Sequence, residues 1–193
     1  MRRPIGHAVG VRWLVLAILG TAIVAGPAAA SSSRPGELVL QQVDVPRGYE
    51  YDKDNSLAMP RPPRGDSDAS SRRLVRDGFR YGSIVRYTTW SPRWRYINSF
   101  AFVFKTQAGA SSSFDWLDHG GRARAPRPVR RGGLALGAEA RLYSYAGSDP
   151  GTLVLWRRGR VVAAVSCHEM QNHYALARSL ARVQDRRVAA ALR

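Results

Sequence analysis

Apolar and polar positions alternate along Phe79–Trp90, with Phe79, Tyr81, Ser83, Val85, Tyr87 and Thr89 falling on one side. That period of two predicts a strand. A second strand is expected over Ile97–Lys105. Phe100, Phe102 and Phe104 share one of its faces, and Ala101 and Val103 lie on the other. Apolar residues on both faces predict burial on both sides. Ser91-Pro92-Arg93 supplies the tip between the two strands. Ala138–Ala146 alternates again, with Ala140, Leu142, Ser144 and Ala146 opposed to Arg141, Tyr143 and Tyr145. Thr152–Met170 then carries two β-rich runs, Leu153–Trp156 and Val161–Cys167, around Arg157-Arg158-Gly159-Arg160. Gly159 provides the positive φ that a tight hairpin needs.

Helical spacing appears between these runs. Ser71–Gly78 predicts a short helix. Gln107–Asp118 predicts another, with Ala108, Ala110, Phe114 and Leu117 inward. Asn172–Leu192 is the clearest, with Asn172 as N-cap and Tyr174, Ala177, Ala181, Gln184, Val188 and Ala191 along one side. Leu176, Leu180 and Val183 lie beside that stripe, and Arg178, Arg182 and Arg186 recur on the opposite, solvated face. This order predicts an α+β fold: an antiparallel sheet of about five strands with helices packed on it and a C-terminal helix after the last strand.

The polar intervals divide the chain. The span 73–193 reads as one domain, and 31–72 as an N-terminal arm followed by a polar loop. Leu38, Val39 and Val43 fit a helical turn and a half, with Tyr49 and Tyr51 docking the arm on the body. Asp52–Ser71, with Pro60, Pro62 and Pro63, reads as a mobile loop. Its Asp52-Lys53-Asp54 run has Leu57 where a calcium loop needs glycine and Pro63 where it needs glutamate, so no calcium site is expected. His119–Gly133 reads as a second loop.

The N-terminus changes the compartment. Arg2, Arg3 and Arg12 precede or flank the thirteen-residue apolar run Trp13–Ala25, and Pro27-Ala28-Ala29-Ala30 offers small residues for cleavage. Residues 1–30 therefore predict a signal peptide and an exported, cell-envelope or extracellular protein. The run is short of the roughly twenty residues of a membrane span, and an uncleaved anchor is the alternative. No cysteine near the cut allows lipidation.

Charge then says something about partners. The chain has 30 Lys and Arg against 14 Asp and Glu, and a formal charge of +16. Removing the three arginines of residues 1–30 leaves +13. Such a protein adheres to anionic polymers or membrane surfaces. Lysine occurs only at Lys53 and Lys105. Arginine holds its charge at any accessible pH and grips carboxylate or phosphate with two hydrogen bonds. The single cysteine, Cys167, excludes an intrachain disulfide.

Three clusters invite a chemical reading. Cys167, His168, Glu169 and His173 are residue types that bind zinc or act as nucleophile and base. Yet His168 and His173 are five apart, and neighbouring Cys167 and His168 on a strand point to opposite faces. A strand end and a polar turn explain them, and no metal or catalytic residue is assigned. Trp90, Arg93, Trp94 and Arg95 interleave aromatic and basic side chains at the hairpin tip. This suits stacking or a membrane interface, against a capping role for one end of the core. Arg122, Arg124, Arg127, Arg130 and Arg131 concentrate positive charge in a stretch without acids, which suits an anion as well as it suits a solvated loop. There is no phosphate loop, serine-nucleophile motif or dinucleotide fingerprint, so neither an enzyme nor a cofactor is expected.

Gly137-Ala138-Glu139-Ala140, the Leu-Trp-Arg-Arg-Gly-Arg-Val-Val hairpin and the Leu-Ala-Arg-Val-Gln-Asp-Arg-Arg-Val helix resemble small exported bacterial proteins of the PsbP-like fold. The actinobacterial LpqN-type lipoproteins are the comparison, without their lipidated cysteine. The resemblance runs from about Arg73 to Leu192 and rests on element order. It implies a non-enzymatic accessory or binding protein. The resulting expectation is an envelope module whose basic surface meets an anionic polymer or membrane, with no sequence-specific nucleic acid. The alternatives are a hydrolase with a site near Cys167 and His168, and a purely structural subunit.

Overall fold

The computed structural model describes residues 35–62, 68–90, 95–124, 127–131, 134–145, 150–168 and 174–193, with backbone alone over 122–131. The signal peptide expected over residues 1–30, and Arg93, Trp94, Glu169 and His173, lie outside the described residues. Two short strands, β1 (Glu50–Tyr51) and β2 (Leu57–Met59), come first. Helix α1 (Ala69–Arg76) leads into β3 (Phe79–Thr89) and β4 (Arg95–Phe104). Helix α2 (Gln107–Arg124) precedes β5 (Arg127–Arg131), β6 (Glu139–Tyr145), β7 (Gly151–Arg158) and β8 (Val161–His168), and α3 (Tyr174–Ala191) closes the chain.

The strands form one antiparallel sheet in the order β1-β3-β4-β8-β7-β6-β5, with β2 also paired to β3. The fold is α+β, with the C-terminal helix after the last strand. Hairpins account for most of the pairings, because adjacent strands need only short turns. Gly159 closes the β7–β8 hairpin at φ +55, as its position predicts. The pairing of β4 with β8 spans the longest stretch of chain, and it puts these two strands inside the sheet.

Each face has its own core. On one side, Ile97, Ala101 and Val103 of β4 and Val161, Ala163, Val165 and Cys167 of β8 pack under Ala177, Leu180, Ala181 and Val188 of α3. On the other, Phe102 and Phe104 of β4 and Val162 and Ala164 of β8 pack with Leu74 of α1 and Ala110 and Phe114 of α2. The two-sided burial of β4 follows the sequence pattern, and so does the α3 stripe at Ala177, Ala181, Gln184 and Val188, whereas Ala191, in the helix's last turn, is exposed and Asp185 is buried against Arg158. Among the described residues no helix is long and apolar enough to cross a membrane.

Several expectations change. The arm is built into the domain: Leu38, Val39 and Leu40 are fully buried, through two 3-10 turns, Pro35–Leu38 and Gln42–Asp44. Tyr49 docks as expected, but Tyr51 stays largely exposed, edge-on to Tyr87. Part of the expected loop 52–71 is ordered as β2, held by backbone pairing to β3, which needs no apolar period. Asp52 in this stretch accepts the Asn55 amide N–H as a 3-10 cap. A register irregularity between Phe79 and Tyr81 turns Phe79 away from the Tyr81–Thr89 face. It packs edge-on to Phe102 and Phe104 instead. Ala108, expected inside, is exposed. Within the expected loop 119–133, the described residues form the end of α2 and β5; with β1 and β2 this brings the sheet to eight strands among the described residues, where about five are expected.

Candidate functional site

Strand alternation separates the cysteine from the histidine. Cys167 points into the core beneath α3, where burial pushes its thiol pKa up to about 12. His168 points to the opposite face and stacks on Tyr96 with ring centroids 4.3 Å apart and planes 7° from parallel. The two side chains have a sheet between them, so they form no thiol–imidazole pair. Among the described residues no group of three or more His, Cys, Asp or Glu is placed to hold a metal ion.

His168 belongs to a ladder that crosses four strands. At the end of the sheet where β4 begins and β8 finishes, Tyr96 pairs with His168, His168 with Gly151, and Gly151 with Tyr145. Gly151 has no side chain, so His168 reaches across β7 and stacks on Tyr145 at 6.3 Å and 12°. A Cβ at Gly151 would lie 3.1 Å from His168 Nδ1 and 2.6 Å from the Cys167 carbonyl oxygen. The glycine is therefore a condition of the ladder. At the other end the Arg86 guanidinium lies over the Tyr96 ring, 4.8 Å from its centroid.

One register row inward runs a polar file. Arg86 Nε donates to Asn98 Oδ1 at 2.8 Å, and Asn98 Nδ2 donates to Ser166 Oγ at 3.3 Å. Arg86 opposes Asn98, Asn98 opposes Ser166, and Ser166 opposes Leu153. Asn98 and Ser166 are each 8 % exposed and His168 5 %, so this is a buried polar patch on a sheet face. Sequence reasoning reached His168 but missed Arg86, Tyr96, Asn98, Tyr145 and Ser166. The available signal was the polar end of β4: Tyr96 and Asn98 occupy the same alternation as Phe100, Phe102 and Phe104.

The sequence-predicted basic groups are spread out. Trp90, the residue after β3, is 76 % exposed, and Arg95 opens β4 opposite Thr89. Arg122 and Arg124 end α2, while Arg127, Arg130 and Arg131 lie in β5, the sheet edge farthest from β3. Five inter-strand steps of about 4.8 Å separate β3 from β5, roughly 24 Å. Trp90 and Arg95 thus lie by strands well apart from β5. Several acids are occupied internally. Asp77 pairs with Arg73, Glu139 with Arg157, Asp185 with Arg158 and Asp44 with Arg187, at 2.8, 2.7, 2.6 and 2.8 Å. Asp118 lies 3.7 Å from Arg141 and accepts the Tyr143 hydroxyl.

No family model matches the chain, and no curated protein does. Among solved structures, the extracellular domain of PknH from Mycobacterium tuberculosis is similar, with a TM-score of 0.50 and 12 % identity, over 83 % of this chain and 100 % of that one. At that identity the likeness is one of fold. The PsbP-like and LpqN-type resemblance finds no support in these comparisons.

Proposed function

We propose that this protein is an exported, non-enzymatic accessory or binding module of the bacterial cell envelope whose basic surface contacts an anionic component. The observation that carries the reading is Trp90, 76 % exposed at the sheet end where Arg95 opens β4. Tryptophan exposed to that extent suits an interfacial contact. The excess of 30 basic over 14 acidic residues supports it, since internal ion pairs occupy several of the acids. The arginines at the end of α2, Arg122 and Arg124, and those of the edge strand β5, Arg127, Arg130 and Arg131, supply a second contact in this reading. Likeness in fold to an extracellular domain agrees with export.

The test is cosedimentation of the purified protein with vesicles containing anionic lipid, and retention on an anionic polymer. Two variants are compared with the native chain: Trp90→Ala, and one with the five arginines Arg122, Arg124, Arg127, Arg130 and Arg131 changed to glutamine. Weaker retention of both variants, with loss at raised salt, is the expected result. Equal retention of all three proteins at moderate salt overturns the reading.

A further inference from the structure

We propose that the end of the sheet where β3 begins carries a docking row for a linear phosphodiester polyanion, formed by Arg76, Arg80, Lys105 and Arg160. Trp90 follows the far end of β3, eleven residues and roughly 33 Å away, so the row is a separate surface. It is also separate from the edge strand β5, three strands beyond β8.

The four residues are distant in sequence and are brought together by the register. Arg76 closes α1. Arg80 is the second residue of β3, Lys105 follows the last residue of β4, and Arg160 precedes the first residue of β8. These strands are neighbours in the order β3-β4-β8. The Lys105 amide donates to the Gly78 carbonyl at 2.8 Å, and the Phe104 amide donates to the Arg160 carbonyl at 2.9 Å. Each of the three strand ends therefore contributes one cation, and two inter-strand steps set Arg80 and Arg160 roughly 10 Å apart. The irregularity between Phe79 and Tyr81 leaves Arg80 without a cross-strand partner. A bulge of this kind re-aims a side chain. All four side chains are exposed.

Nothing inside the protein neutralises this row. Among the described residues none of the four is ion-paired. The acid within this stretch, Asp77, is turned inward, where it accepts from Arg73 Nε at 2.8 Å and Ser113 Oγ at 2.7 Å. Asp185, which reaches the neighbouring Arg158, is held by it at 2.6 Å. A helix C-terminus favours a cation, and that accounts for Arg76 alone. The others stand on a bulge, a strand end and a hairpin turn, where neighbouring like charges repel unless an anion lies between them. Shape selects the partner. A compact anion calls for a concave site, and these side chains stand on exposed turns. One cation per strand instead matches a chain of evenly spaced charges laid across the strand ends. Arginine and lysine both take phosphate oxygens, and several weak contacts along one chain add up.

The probe is a fluorescent abasic dodecamer of deoxyribose phosphodiester, which has phosphates and no bases, followed by anisotropy. Two variants of equal net charge are compared with the native protein. One changes the row: Arg76→Gln, Arg80→Gln, Lys105→Gln and Arg160→Gln. The other changes exposed cations elsewhere: Arg47→Gln, Lys53→Gln, Arg182→Gln and Arg186→Gln. The row variant should bind at least about tenfold more weakly at moderate salt, with a salt slope shallower by up to about 3, or roughly 0.7 for each cation. The control variant should lose less than about threefold. Lys105→Gln alone, an exposed change beyond the strand, should lower the slope by about 1. Free inorganic phosphate, at the same total phosphate, should compete at least about tenfold less well than unlabelled dodecamer. Equal losses in the two variants would reduce the effect to net charge and overturn the proposal. Equal competition by free phosphate overturns the linear partner. A loss confined to phosphatidylglycerol vesicles, with dodecamer binding intact, gives the row to a bilayer and also overturns it. Trp90→Ala should bind the dodecamer as the native protein does, so this test and the one on Trp90 fail separately.

Discussion

The Ser99 hydroxyl on β4 donates to Gln184 Oε1 on α3 at 2.8 Å, and the same hydroxyl accepts the Leu40 amide N–H at 3.1 Å. One small polar relay therefore ties the N-terminal arm, the central strand and the last helix. Gln184 also donates through Nε2 to the Phe100 carbonyl at 2.8 Å, and its side chain is fully buried. The Leu40 carbonyl in turn accepts from the Tyr87 hydroxyl, whose pKa burial pushes up to about 12.

Gln184→Ala strands the Ser99 hydroxyl and leaves a void. The expected loss is about 2–3 kcal/mol, from unmet buried hydrogen bonds and a cavity. Denaturant unfolding measures it as a lower midpoint with an unchanged slope. A loss below about 0.5 kcal/mol would show that the relay contributes little to holding the arm.

Cys167 should behave as an inert core residue. A thiol whose pKa is near 12 presents almost no thiolate at neutral pH, and the side chain is fully buried. Maleimide labelling followed by mass is expected to proceed only as fast as the protein unfolds. Rapid stoichiometric labelling in native buffer contradicts this, and would reopen Cys167 as a reactive group.

Much of this was legible in the sequence, and the illegible parts share a cause. The opposite placement of Cys167 and His168 follows from strand alternation alone. The β7–β8 hairpin is legible in the positive φ open to Gly159, and the buried face of α3 in its helical period. β5 does not show in the sequence because Arg-Pro-Val-Arg-Arg has neither apolar alternation nor a full set of ladder donors. β1 and β2 do not show because two and three residues are too few to make a period. The ladder was out of reach for a different reason. Arg86, Tyr96, Tyr145 and His168 meet only once the β4–β8 register is known, and β7 must bring a glycine between two rings.

Asp68 gives a pH-dependent expectation. Burial pushes its carboxyl up, but hydrogen bonds from Ser71 and Ser70 outweigh this and hold it below the ordinary 3.8. It is the N-cap of α1, accepting from both amides at 2.7 and 3.0 Å. A carboxyl depressed in the folded state adds stability above its unfolded pKa, and that stability is lost as the pH falls through the folded value. Asp68→Ala should therefore cost about 1 kcal/mol at neutral pH. The gap between variant and native protein should close as the pH drops below 3.8. Thermal unfolding across that range checks it. A pH-independent gap would mean that the side chain acts by something other than its charge.

Gly151→Ala tests the ladder against a matched control. The new Cβ would meet the Cys167 carbonyl oxygen at 2.6 Å and His168 Nδ1 at 3.1 Å, and backbone in a central strand gives way poorly. The expected cost is about 1–3 kcal/mol. His168 should also be displaced from between Tyr96 and Tyr145. Its imidazole protons, shifted upfield by two nearly parallel rings in the native protein, should move downfield in the NMR spectrum. Gly120→Ala lies within α2, where a Cβ meets nothing within 4 Å. That substitution should stabilise the protein by up to about 1 kcal/mol, through the ordinary helix preference for alanine. Loss of stability at Gly151 with unchanged His168 resonances would separate strand packing from the ladder, and would show that the stack does not depend on the missing side chain.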